Sequence, residues 1–183
     1  MMRVIAAMSI FAVAGLSGLC AAAAMSLTSP DVKPGGRIAD EQVFNGEGCK
    51  GGNASPALVW GGAPRGTKSF AVSMYDLDAP TGNGFWHWWV ANLPPDTTGL
   101  SKGAGGGTGL PAGALQARND FGQVGYGGPC PPPGRPHHYQ ITVYALDVDK
   151  LPDAGPDASP AVFGFDAHAH ALARATLTGL YGR

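Results

Sequence analysis

The stretch Ser69–Asn92, SFAVSMYDLDAPTGNGFWHWWVAN, contains two strand-like runs joined by a turn. In the first run, Phe70, Val72 and Met74 recur at every second position, which is the period of a β-strand. The alternation ends at Asp76–Pro80, DLDAP, where carboxylates and a proline take its place. This stretch therefore predicts a strand that runs into a polar turn and returns as a second strand.

The second run, Trp86–Asn92, has the same two-residue period. Alternation predicts one face formed by His87, Trp89 and Ala91 and an opposite face formed by Trp86, Trp88 and Val90. We expect the tryptophans to form core and pocket wall rather than a surface on which nucleic-acid bases stack.

Another stretch, Tyr126–Asp147 or YGGPCPPPGRPHHYQITVYALD, also ends in a strand-like run. His137 shares one predicted face of that strand with Tyr139 and Ile141, whereas His138 falls on the opposite face. The prolines and glycines before the strand predict a rigid loop at its entry. Titratable side chains at strand ends, next to stiff backbone, are typical of small binding pockets.

Taken together, these motifs resemble the phosphatidylethanolamine-binding protein family, in particular its bacterial Raf-kinase-inhibitor-like branch. The family pattern has D-P-D-A-P, a tryptophan–histidine strand, G-P-x-P-P and a short H-R-Y element. This chain has DLDAP, WHWWVANLP and YGGPCPPPGRPHHY in the same order, and the match extends from about Cys49 to Arg183. The chain departs at Leu77, where the family usually has proline, and at His138, where it usually has arginine. The second departure removes a permanent positive charge near the predicted site.

The resemblance implies a mostly β fold, a β-sandwich with a few peripheral helices that include one near the C-terminus. The composition agrees with this fold, because 29 glycines and 16 prolines in 183 residues favour sheets joined by long structured loops. The sequence contains no internal repeat, and nothing in it indicates a second domain.

The resemblance also implies a ligand-binding set, which comprises Asp76, Asp78, Pro80, His87, Gly128, Pro129, Pro132 and His137. The implied ligand is a small anion or a phosphoethanolamine-like headgroup. Histidines and backbone N–H groups can donate hydrogen bonds to phosphate, whereas aspartates would repel it. We expect the aspartates to hold histidine tautomers or to accept from an amine, so a headgroup of both signs fits this set.

Most of these residues also have a purely structural interpretation. Asp76 and Asp78 could serve only to accept hydrogen bonds from turn amides. His87 could be a packed core residue. Gly128–Pro133 could be a loop that serves the fold alone, although glycine also lets a ligand approach backbone N–H groups closely.

The segment Met1–Met25 is typical of an export signal. Arg3 is its single charge, Val4–Leu19 is apolar, and small residues follow up to Ala24. We predict a signal peptide over residues 1–24 and a periplasmic or secreted protein. The alternatives are an uncleaved membrane anchor of sufficient length to cross a bilayer and, less favoured, lipidation at Cys20.

Cleavage after Ala24 would leave one domain, residues 25–183. The formal net charge of −1 then becomes about −2 through the loss of Arg3. No basic excess remains to hold nucleic acid or an anionic membrane by charge, so we predict neither nucleic-acid binding nor stable membrane insertion after cleavage.

Two cysteines, Cys49 and Cys130, remain in this domain. An even number of cysteines in an exported protein is compatible with a disulfide, and two separate buried thiols are the alternative. A bridge would close a loop of about 80 residues and could contribute on the order of 4 kcal/mol to stability in the chain-entropy treatment.

The C-terminal region contains helix signals. Ser159-Pro160 is a typical helix start, and Asp166 is a second candidate. The alanine-rich run Ala167–Thr178, followed by Gly179, predicts a helix that ends at this glycine. His168 and His170 would point in different directions on that helix and do not form a metal pair.

These observations favour a binding protein without cofactor or metal rather than an enzyme. A hydrolase that uses Asp–His acid–base chemistry is the main alternative. No serine or cysteine lies in a recognisable nucleophile motif, and no metal-ligand spacing is diagnostic. A third interpretation, which the resemblance implies for some relatives, is an inhibitor that binds a kinase or protease through its loops.

Overall fold

A computed structural model describes residues 24–155 and 157–183. The predicted signal peptide lies almost entirely outside these residues. The elements in chain order are β1 (Ser26–Thr28), β2 (Asn45–Gly46), β3 (Cys49–Lys50), β4 (Leu58–Gly61), β5 (Ser69–Asp76), β6 (Phe85–Leu93), β7 (Gly99–Leu100), a 3₁₀ helix (Ala104–Gly106), β8 (Leu115–Gln116), β9 (His137–Leu146), α1 (Pro160–Ala169) and β10 (Ala171–Tyr181).

A five-stranded antiparallel sheet in the order β10-β9-β5-β6-β8 is the centre of the fold. One face of this sheet packs against a three-stranded sheet, β1-β4-β7, across a core that includes Trp60, Phe70, Trp88 and Ile141. The other face packs against α1 through a smaller cluster around Trp89 and Phe163. The predicted mostly β sandwich, with a helix near the C-terminus, is confirmed.

The two central strands, β5 and β9, are buried along most of their length, because each has a neighbouring strand on both sides and the larger core on one face. Phe70, Val72 and Met74 point into the larger core, as their alternation predicts. Within the described ranges no helix is long and apolar enough to cross a membrane.

The prediction for the C-terminal region was correct at its start and wrong beyond it. Ser159 is the N-cap of α1 and Pro160 its first residue, but Asp166 lies inside this helix. The run predicted as a helix, Ala167–Thr178, instead enters β10 at Ala171. Antiparallel pairing with nearly the whole of β9 supplies backbone hydrogen bonds and burial that outweigh the helix propensity of alanine, which is worth less than about 1 kcal/mol per residue.

The prediction of the two β6 faces was wrong at its first two residues. Trp88 pairs with Met74 and Trp86 pairs with the adjacent Tyr75, so β6 carries one extra residue at this point. Such a β-bulge shifts the alternation by one. Trp86 therefore packs against Trp89, on the helix side, while His87 lies on the opposite side with Trp88.

Cys49 and Cys130 form a disulfide with an S–S distance of 2.05 Å and a Cα–Cα distance of 6.0 Å. The bridge attaches the proline-rich loop before β9 to the short β2–β3 hairpin. The proline-rich loop is therefore covalently fixed to the rest of the fold.

Candidate functional site

A cavity of about 150 Å³ opens where β5 ends and where β6 and β9 begin. Its walls come from these strand ends, the DLDAP turn, the proline-rich loop and the loop after β8, and they comprise Asp76, Ala79, Pro80, Thr81, Phe85, His87, Phe121, Cys130, Pro131, Pro132, His137 and Tyr139. Five predicted residues are brought together here, Asp76, Pro80, His87, Pro132 and His137.

A buried Asp–His pair forms one wall of the cavity. Asp76 is the last residue of β5 and His137 the first residue of β9, and the two are only 3% and 7% exposed. His137 Nδ1 lies 2.8 Å from Asp76 Oδ2. The carboxylate fixes the orientation of the imidazole, which leaves Nε2 as the ring nitrogen available to a ligand.

Asp76 has a structural role as well. Its Oδ1 accepts a hydrogen bond from the Asp78 backbone N–H at 2.9 Å, which closes the turn after β5. One carboxylate oxygen of Asp76 therefore closes the turn, and the other contacts His137 on the cavity wall.

The second histidine of the cavity, His87, is positioned by the β-bulge in β6. Its Nδ1 donates to the Gly127 carbonyl oxygen at 2.6 Å, since a carbonyl can only accept. Burial lowers the pKa of His87 to about 4, and the hydrogen bond to Gly127 opposes this effect only in part. At neutral pH the ring is uncharged, and its Nε2 is an acceptor.

Tyr139 was not among the predicted site residues, although it shares a strand face with His137. Its side chain is fully buried, and its hydroxyl has no hydrogen-bond partner among the described residues. Burial, the nearby charge of Asp76 and a side-chain contact with that carboxylate, which does not reach hydrogen-bond geometry, raise the pKa of Tyr139, so the phenol stays protonated. A buried donor without a partner, on a cavity wall, is available to a ligand.

Two phenylalanines that the sequence analysis did not select, Phe85 and Phe121, complete the wall. Their ring centroids are 4.7 Å apart in an edge-to-face arrangement, and Phe121 also stacks on Phe44 at 4.1 Å. Phe121 is held by Asn119, whose Oδ1 accepts from the Phe121 N–H. The turn sequence NDFG was the available signal, but it does not indicate which side chain enters the cavity.

Asp78 lies outside the cavity wall, in contrast to the prediction. Its Oδ2 accepts from the His138 backbone N–H at 2.8 Å and contacts His138 Nδ1 at 2.7 Å. Arg135 Nη2 lies 3.2 Å from Oδ1. The hydrogen bonds from His138 and the charge of Arg135 lower the pKa of Asp78, so this carboxylate joins the turn to the start of β9.

Gly128 and Pro129 also lie away from the cavity, because the fold itself uses their backbone. A Cβ atom at Gly128 would lie 2.1 Å from the Gln42 carbonyl oxygen, and the Gly128 N–H donates to Asn53 Oδ1. The Pro129 carbonyl accepts from the Phe44 N–H. These two residues therefore have a structural role and do not line the cavity, whereas Pro131 and Pro132 do.

The site combines few polar atoms with mostly apolar walls. Its donors and acceptors are the Asp76–His137 pair, His87 and Tyr139. In the described part of the chain no three side chains from His, Cys, Asp or Glu are grouped so that they could hold a metal ion.

Comparison with known proteins identifies close relatives. The family model for phosphatidylethanolamine-binding protein matches residues 28–182. The UPF0098 proteins YbcL and YbhB of Escherichia coli (strain K12) are 51% and 49% identical to the chain. The match to YbcL covers 87% of this chain and 88% of YbcL, and that to YbhB covers 86% and 99%.

Solved structures give the same result. The crystal structure of E. coli YbcL, described as a new member of the mammalian PEBP family, superposes with a TM-score of 0.85 at 49% identity. It covers 88% of this chain and 99% of that one. A phosphatidylethanolamine-binding protein homolog from Chlamydia trachomatis superposes with a TM-score of 0.72 at 31% identity, over 87% of this chain and 98% of its own.

Proposed function

The chain belongs to the phosphatidylethanolamine-binding protein family, and we propose that it binds a small phosphoethanolamine-like headgroup in the cavity described above. The observation that carries this proposal is the buried Asp76–His137 pair beside the unpartnered hydroxyl of Tyr139.

The donors on the wall suit a phosphate group. The Tyr139 hydroxyl can donate without losing a bond, because it has no partner among the described residues. His137 Nε2 donates whenever the ring is protonated, and the Asp76 carboxylate on Nδ1 then balances the positive charge. A phosphate oxygen at these two groups would receive charge-assisted hydrogen bonds.

The acceptors on the wall suit an ammonium group. The neutral His87 ring offers Nε2, and the faces of Phe85 and Phe121 can attract a cation. A phosphate ion without an ammonium group would be repelled by the Asp76 carboxylate, and it would leave the acceptors at His87, Phe85 and Phe121 unused. A ligand of both signs therefore fits the wall better than a simple anion.

The size of the cavity supports a headgroup without its acyl chains. A volume of about 150 Å³ corresponds to roughly five water molecules at about 30 Å³ each. The lipid tails of a diacyl ligand would have to remain outside.

Binding without turnover is part of the proposal. Cys130 on the wall is tied in the disulfide, and the Thr81 hydroxyl donates to the Gly84 carbonyl rather than to a histidine. Neither side chain is paired with a base that could activate it as a nucleophile. We further propose an exported protein, periplasmic or secreted, since a disulfide persists in oxidising compartments.

The test compares the same substitution at two neighbouring histidines. In His137→Asn the amide can still donate to Asp76 in place of Nδ1, so the carboxylate keeps a partner while Nε2 is lost. His138→Asn is the matched control on the opposite, exposed face. Calorimetric titration with phosphoethanolamine should show affinity reduced by one to two decades, roughly 1.5–3 kcal/mol, in His137→Asn only.

Equal affinity in the two variants, or no heat with phosphoethanolamine in the unmodified protein, would reject this ligand or this site. Phosphate and ethanolamine titrated separately show which half of the headgroup contributes. A hydrolase would instead release product from a panel of esters and phosphoesters.

A further inference from the structure

The helix side of the five-stranded sheet is only partly covered. The ten residues of α1 span about 15 Å, whereas the ten residues of β9 span roughly 33 Å. Beyond the helix, a groove of about 390 Å³ runs over β6, β5, β9 and β10. It lies on the opposite face of β5 from the first cavity, because Ser73 and Tyr75 line the groove whereas Asp76 lines the cavity.

The floor of this groove is unusually polar for a sheet surface. Ser73 and Thr142 are direct cross-strand partners, and Tyr144 lies further along β9; the three are 2%, 4% and 4% exposed. Burial raises the pKa of Tyr144, which stays a neutral phenol. Three hydroxyl groups therefore lie together on the floor, where the Ser73 and Thr142 hydroxyls contact the Tyr144 oxygen and the group as a whole can bond to a ligand.

Arg174 supplies a positive charge at the edge of this floor. Arg174, which pairs with Tyr144 across β9 and β10, has its Nη1 3.3 Å from His168 Nε2. His168 Nδ1 contacts the Gly164 carbonyl at 2.7 Å and must donate to it, so Nε2 is free to accept from the guanidinium. The His168 ring thus holds Arg174 in place without cancelling its charge.

No carboxylate in residues 24–155 and 157–183 forms a salt bridge with Arg174. Asp120 lies at the other end of the groove, where its Oδ2 accepts from the Trp86 N–H. The groove is therefore positive at its Arg174 end, and an anionic group would bind there.

The groove continues into an apolar depression on α1. Trp86 and His168 line both features, and Phe165, which is 75% exposed, lines the depression with Ala161 and Gly164. An exposed phenylalanine beside a tryptophan provides an apolar surface next to the cationic end.

We propose that this groove is a second binding site, which takes a small organic anion with an apolar tail. The carboxylate or phosphate lies at Arg174 above the Thr142 and Tyr144 hydroxyls. The tail lies along Trp86 and Phe165. This proposal is independent of the headgroup proposed for the first cavity.

The experiment uses n-octanoate, octyl phosphate and octylammonium as probes, with ¹⁵N-labelled protein observed by NMR. Either anion should shift the amide signals of Thr142, Tyr144 and Arg174, and the tighter of the two identifies the preferred headgroup. Octylammonium has the same tail and the opposite charge, and it should bind much more weakly.

Arg174→Gln should weaken the anion about tenfold or more, as expected for the loss of a charge-assisted hydrogen bond. Arg65→Gln is the matched control, since Arg65 is exposed and does not line the groove. Equal binding of octylammonium, an unchanged affinity in Arg174→Gln, or shifts centred on His137 and Tyr139 would each overturn the proposal, as would no shift with either anion.

Discussion

Tyr139→Phe gives the sharpest test of the cavity, because the structure predicts opposite signs for stability and for binding. The substitution removes one oxygen atom and keeps the buried ring, which contacts the His87 ring edge-to-face at a centroid distance of 5.2 Å. The hydroxyl has no hydrogen-bond partner in the described part of the protein. A buried hydroxyl without a partner costs roughly 1–3 kcal/mol, so its removal should stabilise the free protein by about 1 kcal/mol.

The same variant should bind phosphoethanolamine about one decade more weakly or worse, because the proposed donor to phosphate is lost. Urea unfolding and calorimetry on the same preparations measure both quantities. For a domain of this size, 1 kcal/mol corresponds to a rise in Tm of about 2–4 °C.

A loss of stability in Tyr139→Phe would show that the hydroxyl is satisfied in the free protein, for example by Asp76, and would refute the argument for a vacant donor. Unchanged affinity together with higher stability would instead show that the ligand does not reach the hydroxyl.

Further predictions concern the acid response, the disulfide and the N-terminus. Because His87 has its pKa lowered from about 6.5 to about 4 in the folded state, the unfolded chain takes up this proton first, and stability should fall by about 2 kcal/mol between pH 7 and pH 5. In His87→Gln, the free energy of unfolding measured with urea should fall by about 2 kcal/mol less over the same pH range. An equal fall in the variant and in the unmodified protein would contradict this role of His87. The double change Cys49→Ser and Cys130→Ser opens a loop between residues 81 positions apart and should lower the free energy of unfolding by about 4 kcal/mol; an unaltered urea midpoint would argue against that value. Intact-mass analysis of the exported protein should show loss of residues 1–24, and recovery of Met1–Met25 in a membrane fraction would speak for an anchor.

The strands of the site were predictable because their residues follow one simple rule. Phe70, Val72 and Met74 alternate without interruption, and the structure places them on one face of β5. The same holds for Tyr139 and Ile141 in β9. A buried face imposes a two-residue period on the sequence, so period alone identifies these strands.

The face of His87 could not be predicted by that rule. The bulge in β6 leaves no mark in WHWW, since any of these residues could be the extra one. Yet the bulge decides that the histidine points into the cavity rather than towards α1. Local irregularities of this kind are common beside functional sites. Here the one extra residue in β6 determines which of its side chains line the cavity.

The helix prediction for Ala167–Thr178 was wrong for a different reason. Alanine is the best helix former, but its advantage over other ordinary residues is less than about 1 kcal/mol per residue. The partner that decides the conformation of Ala171–Tyr181 is β9, about 35 residues earlier in the chain. Leu177, Gly179 and Tyr181 are buried at every second position, which was the available strand signal. The alanine-rich composition of this run favoured the helix interpretation over that signal.

The two departures from the family pattern are explained by the contacts they make. A proline at position 77 would have no N–H, whereas the Leu77 N–H donates to the His138 carbonyl at 3.0 Å and extends the pairing of β5 and β9 by one hydrogen bond. With histidine at 138, the permanent positive charge at the Asp78 carboxylate is that of Arg135. Because Arg135 is largely exposed, this ion pair adds little to stability. The turn beside the cavity is therefore closed by the Leu77 hydrogen bond and carries a permanent positive charge at Arg135.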